Sequence, residues 1–178
     1  YVAGSYQPAA ENAKRIAAIW KNGELSTIGS PNNNTRLEDI FVSGNDVYVV
    51  GTESAPGDRV ISKYWKNGVE TVLSAREGTT HARSIYVEGN DVYVVGYTEL
   101  NGRSLNLWKN GVRTDLISGR TVIRGGSVAV NSGNVYVAGY EQVGSTYAPR
   151  VFKNGELLPM EYANNDGHVY AHSVQVVE

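Results

Sequence analysis

One short segment returns four times, and nothing else in the chain restricts its fold as much. Val47-Tyr48-Val49-Val50-Gly51 recurs as Val92-Tyr93-Val94-Val95-Gly96 and as Val135-Tyr136-Val137-Ala138-Gly139. Tyr1-Val2-Ala3-Gly4 is the same segment without its first residue. Trp20-Lys21-Asn22-Gly23 returns as Trp65-Lys66-Asn67-Gly68, Trp108-Lys109-Asn110-Gly111 and Phe152-Lys153-Asn154-Gly155, in steps of 45, 43 and 44 residues. A third element, Ile40-Phe41-Val42, returns as Ile85-Tyr86-Val87, Val128-Ala129-Val130 and Val174-Gln175-Val176. The order of the three elements is kept in every copy, so the chain is a tandem array and its fold must be a repeating one.

Each copy reads as four short strands, A to D. Strand A ends on the Ile-x-Val element, a Gly-Asn or similar turn leads into strand B (Val92 to Gly96 in the third copy), and strand C ends at the aromatic residue. Asn-Gly then turns the chain into strand D, because both residues tolerate the positive φ of a two-residue hairpin. Strand D carries an apolar residue five after that glycine in every copy: Ile28, Leu73, Leu116 and Met160. Pro159 falls in the fourth strand D, as suits the outermost strand of a sheet. Strands B are apolar on both faces, which a sandwich with one wet side would not show. Four strands in about 44 residues is the period of a propeller blade.

The expected fold is therefore all-β: a four-bladed β-propeller over 1–178 with four four-stranded antiparallel blades. Strands B, C and D of blade 1 lie at 1–28, blade 2 at 37–73, blade 3 at 82–116 and blade 4 at 125–160. The chain begins in strand B and ends in strand A, so 171–178 is expected to supply strand A of blade 1 and remove the open edges of a linear array. The alternative is that the four repeats belong to a larger ring, completed by a second chain or by further residues.

The pattern Ser84-Ile85 to Gly96, followed by Trp-Lys-Asn-Gly, resembles uncharacterised bacterial cell-surface repeat proteins with propeller folds, and more loosely NHL-type blades. The resemblance covers essentially the whole chain. Phe152 replaces Trp in copy four, and Asp39 replaces Ser in copy one. It implies an extracellular or cell-surface location and brings no activity.

Several function classes are disfavoured. Net charge is −2, so there is no basic field for nucleic acid. No apolar run approaches the length of a bilayer span, so no membrane insertion is expected. There is no Cys for disulfides or thiolate metal sites. His81, His168 and His172 sit in no catalytic pattern with Ser or Asp, and Ser84, Ser127 and Ser173 recur with Asp39 as small residues near a crowded axis. No enzyme, cofactor or metal is expected. Asn164-Asn165-Asp166-Gly167-His168 with His172 is better read as a turn-forming loop than as a metal site, and a cation in an axial channel is conceivable in any narrow propeller. The recurrent Trp20, Trp65, Trp108 and Phe152 are read as packing between blades rather than as a sugar-stacking set.

Function is expected where the copies differ. The B–C segments (6–15, 52–59, 97–103, 140–150) and D–A segments (31–36, 76–81, 119–124, 162–170) share one end of a propeller and vary, whereas the other end is uniform. Loops on a rigid scaffold are where binding residues concentrate. Arg36, His81, Arg124 and Tyr170 enter strand A around the axis, with Glu38, Arg83, Gly126 and His172 next but one. Arg36, Glu38, His81, Arg83, Arg124, Tyr170 and His172 thus form the candidate ligand-binding set, suited to an anionic or hydroxyl-rich ligand. The expected role is a non-catalytic binding or scaffold module for a glycan or a protein. A structural spacer, or a glycan hydrolase or lyase at the axial mouth, is the alternative. A monomer is expected, with a dimer as the alternative.

Overall fold

The structure is a computed structural model, and it describes residues 1–55, 57, 59–73, 78–119, 123–161 and 167–177, with the side chains of 55 and 123–125 outside the description. These residues form strands and turns with no helix, in four antiparallel sheets. The first holds β1 (Val2–Tyr6), β2 (Ile16–Lys21) and β3 (Glu24–Ile28). The second holds β4 (Thr35–Ser43), β5 (Asp46–Ala55), β6 (Arg59–Lys66) and β7 (Val69–Val72). The third holds β8 (Thr79–Glu88), β9 (Asp91–Glu99), β10 (Arg103–Lys109) and β11 (Val112–Ile117). The fourth holds β12 (Ile123–Asn131), β13 (Asn134–Val143), β14 (Thr146–Lys153) and β15 (Glu156–Leu158). Each sheet is a meander, its strands paired in chain order.

The Lys-Asn-Gly elements form the C–D hairpins as expected, with Asn22, Asn67, Asn110 and Asn154 at φ of 49–52° and glycine following. Three of the four have a second task. The side-chain oxygens of Asn67, Asn110 and Asn154 accept the backbone N–H of Val47, Val92 and Val135, and their own backbone N–H groups donate to the carbonyls of the same three valines. The hairpin is thereby stitched to the start of strand B. Lys66 and Lys109 also reach Asp46 and Asp91 at 2.8 and 2.7 Å.

The apolar faces of strand B fill two different cores. Val94 and Val92 of β9 pack with Tyr48, Val50 and Trp108 between the second and third sheets. Tyr93 and Val95 pack with Val128, Val137 and Phe152 between the third and fourth. Trp65 packs with Ala17, Leu37 and Val49 between the first and second. Trp65, Trp108 and Phe152 therefore plug the joint with the preceding sheet, as expected, and burying one is worth about 2–3 kcal/mol.

Strand A is not regular. Its register with strand B slips at Leu37/Asp39, at Ala82/Ser84 and at Arg124/Ser127, a β-bulge in all three complete sheets. The bulge drives the carbonyl of the residue before it onto strand B. A Cβ placed on Gly51 or Gly96 would lie 2.1 Å from the carbonyl oxygen of Arg36 or His81. This close approach, and not a positive φ, is why strand B carries glycine at these two positions.

Three expectations need correction. Strand A begins two or three residues earlier than expected, at Thr35, Thr79 and Ile123. Strand D of the fourth sheet stops at Leu158, since Pro159 has no N–H to give the ladder. Strand A of the first sheet at 171–178 is not formed: 171–177 carry no strand, and no described backbone hydrogen bond ties them to β1, which pairs with β2 alone. The segment is instead drawn to the fourth sheet, where the N–H of Val174 donates to Ser127 Oγ at 3.3 Å and that of Val169 to the Tyr147 carbonyl at 2.9 Å.

Candidate functional site

The B–C segments are less loop-like than their variability suggests. Most of 52–59, 97–103 and 140–150 is strand, reversed by short turns at 100–102 and 144–145. Only the first sheet has a long connection, 7–15. Side chains of these three B–C segments are therefore held by paired backbone, and two clusters form at this end.

The first cluster lies on the second and third sheets. Glu38 and Arg83 are the bulge residues of β4 and β8, so the bulge aims both at the neighbouring sheet. Arg36 Nε lies 3.0 Å from Glu38, and Arg83 Nη1 lies 3.1 Å from the other oxygen of the same carboxylate. Arg83 also donates to the Tyr97 hydroxyl at 3.3 Å. The His81 ring stacks on Tyr97 at 4.6 Å, and the guanidinium of Arg103, itself paired with Glu99, covers the Tyr97 ring at 5.1 Å. Burial pushes the His81 imidazole below its ordinary 6.5, an effect that the nearby Glu99 only partly opposes. The cluster brings together four of the expected site residues, Arg36, Glu38, His81 and Arg83. Its cations are already committed to carboxylates and a ring, so it works as a brace between two sheets more than as an open anion site. Arg124 pairs in register with Tyr140, and its side chain lies outside the description. Gly126, at φ 141°, brings the β12 backbone against Val95 and Arg83.

The second cluster joins the fourth sheet to the C-terminal segment. Tyr140 and Tyr147 stand on β13 and β14, and Tyr170 and His172 come from the segment that Val169 and Val174 tie to that sheet. Tyr170 meets Tyr140 edge-on at 4.8 Å and Tyr147 at 5.4 Å, while His172 stacks on Tyr170 at 5.9 Å. His168 lies 5.2 Å from Tyr147. Tyr140, Tyr147, Tyr170 and His172 line an open cavity of about 350 Å³, within the usual range for small-molecule sites. Sequence reasoning found Tyr170 and His172 and missed Tyr140 and Tyr147. The available signal was the strand-B position that follows the glycine. It is Ser5 and Thr52 in the first two copies and becomes Tyr97 and Tyr140 in the last two.

Among the described residues no group of three or more His, Asp or Glu is placed to hold a metal ion. Asn164, Asn165 and Asp166 of the sequence-level metal candidate lie outside the described residues, and His168 and His172 pack on tyrosines. No helix of the described residues is long and apolar enough to cross a membrane. A second cavity, about 340 Å³, opens at the uniform end between the first two sheets, lined by Tyr1, Ile19, Lys21, Val47 and Val49 among others. It borders the interior packing of that joint. Scans against protein-family models and curated proteins return no match to the chain.

Proposed function

We propose that the chain is a non-catalytic binding module whose ligand, a glycan or a protein, is held at the B–C and D–A end of a single four-bladed propeller. The Tyr140–Tyr147–Tyr170–His172 cavity carries this reading. It is concave, it faces the variable end, and it joins the paired strands that carry Tyr140 and Tyr147 to the C-terminal segment that carries Tyr170 and His172. The resemblance to bacterial surface repeat proteins supports an extracellular or cell-surface setting.

The ring belongs to the proposal, with 170–175 as the inner strand of the first blade. Three observations support it. Val2, equivalent to Val49, Val94 and Val137 at 1% exposure, is 60% exposed. Trp20 alone of the four strand-C aromatics is not fully buried, because its neighbour in a ring would be the fourth sheet. The bond from Val174 N–H to Ser127 also repeats, two sheets further on, the bond from Ile85 N–H to Asp39 at 3.0 Å. The C-terminal segment thus stands on the fourth sheet as β8 stands on the second. Carrying the register of the complete sheets forward sets Val174 opposite Val2 and Ala171 opposite Gly4.

The test is a glycan array and a pull-down with wild type and Tyr170→Ala. The reading expects a ligand bound by wild type and lost by the variant. A ligand bound equally by both, or none at all, overturns it.

A further inference from the structure

We infer that the cavity on the fourth sheet takes a neutral, hydroxyl-bearing sugar ring in preference to an acidic or cationic ligand. This rests on the binding-module reading and names the ligand class for the same site.

The first argument is charge. Among the described residues no carboxylate, lysine or arginine lines the cavity. Glu141, next to Tyr140, is tied to Arg150 at 2.7 Å, so neither offers an unpaired charge. An acidic sugar would leave its carboxylate without a cation, and a charged group removed from water without a partner is costly.

The second argument is ring geometry. An aromatic cage for a quaternary ammonium surrounds the guest with ring faces. Here the rings contact each other, with centroids 4.8 Å (Tyr140–Tyr170), 5.4 Å (Tyr147–Tyr170) and 5.6 Å (Tyr140–Tyr147) apart. These are the spacings of directly packed rings, so nothing fits between them. A guest lies across their outer faces, and Tyr170 is 43% exposed to meet it. Tyr147 and Tyr170 are tilted by 34° and Tyr140 stands edge-on to both, so the guest meets single exposed ring faces, that of Tyr170 first, and such a face suits the C–H side of a pyranose, which has an apolar side and a polar rim.

The third argument is hydrogen-bonding capacity. The phenol oxygens of Tyr140, Tyr147 and Tyr170 and the imidazole of His172 have no hydrogen-bond partner among the described residues. Each hydroxyl can donate and accept. The cavity therefore offers several unused groups at its rim around an apolar floor, which matches equatorial sugar hydroxyls and gives a cation no carboxylate.

The experiment titrates the full chain with methyl pyranosides of gluco, galacto and manno configuration, with galacturonate and with tetramethylammonium, read by calorimetry and tyrosine fluorescence. A methyl pyranoside is expected to bind at about 1 mM or tighter. Tyr170→Ala is expected to weaken it by about tenfold or more, Tyr170→Phe by less, and Val112→Thr at the opposite end not at all. Thermal unfolding of each variant separates lost binding from lost fold. Galacturonate or tetramethylammonium binding better than every neutral sugar, with Tyr170→Ala abolishing it, overturns this inference and leaves the binding module standing. A protein captured by wild type and lost in Tyr170→Ala, with no sugar bound, does the same. If nothing binds in any arm, both fall.

Discussion

The ring can be tested by adding one methyl group at equivalent places in two sheets. Gly96 lies where a Cβ would be 2.1 Å from the His81 carbonyl oxygen and 2.8 Å from Ala82 Cα. Both are backbone atoms of a paired strand, so β8 has to shift by about 1 Å, and overpacking of this kind costs about 1–3 kcal/mol or more. Reduced freedom of the unfolded chain offsets about 0.4–1 kcal/mol. Gly96→Ala is therefore expected to lose about 2 kcal/mol, which at this chain length lowers Tm by roughly 4–8 °C. Gly4 is the same position in the first sheet, yet among the described residues the only side chain near its added Cβ is Trp20, at 3.2 Å, and no strand pairs with β1 on the edge away from β2. If β1 stays an open edge, Gly4→Ala changes stability by less than about 0.5 kcal/mol. If 170–175 pairs there, the carbonyl before its bulge presses on Gly4, and the loss matches that of Gly96→Ala. Urea unfolding with an unchanged m-value reads the difference. A wild-type midpoint for Gly4→Ala beside a lowered one for Gly96→Ala refutes ring closure, and a wild-type midpoint for Gly96→Ala refutes the steric argument itself.

Two other perturbations are specific to this packing. Lys63, at 7% side-chain exposure, bonds Glu53 (3% exposed) at 2.8 Å and Glu70 at 2.9 Å, so Lys63→Ala strands the Glu53 charge inside the second sheet. A loss of about 3–5 kcal/mol is expected, and an unchanged urea midpoint would show the triad to be dispensable. Burial alone would raise the Glu53 carboxyl, but Lys63, the Ser30 N–H and Asn33 together hold it below its ordinary 4.5. The stabilisation from Glu53 is then complete above 4.5 and fades as pH falls through the lower folded value, while His81, held neutral below 6.5, costs stability as pH drops under its unfolded value. Both signs predict a Tm that declines on acidification from pH 7, and a flat profile between pH 7 and 4 would contradict them. Asn110→Ala removes the bond to the Val92 N–H and puts a Cβ-bearing residue with no local hydrogen bond at φ 52°, for an expected loss of about 1–3 kcal/mol by urea unfolding.

The four-fold repeat, the Asn-Gly hairpins and the buried strands B are legible in the chain because they depend on neighbours a few residues away. Turn chemistry and strand pattern act locally, and a period repeats them in every copy. The bulges were not legible, since the slip at Glu38 or Arg83 shows only when strand A lies against strand B. For the same reason the lack of room for a Cβ at Gly51 and Gly96 had no local sign. The candidate site divided along the same line. Arg36 and Arg83 looked like ligand-facing cations, but a carboxylate 45 residues from Arg83 engages both. Tyr140 and Tyr147 became site residues only because the C-terminal segment crosses the fourth sheet and sets Tyr170 upon them. Local dihedral preference and periodicity are written in the chain, whereas which charge is already neutralised, and which ring is left facing solvent, follow from contacts between elements far apart in sequence.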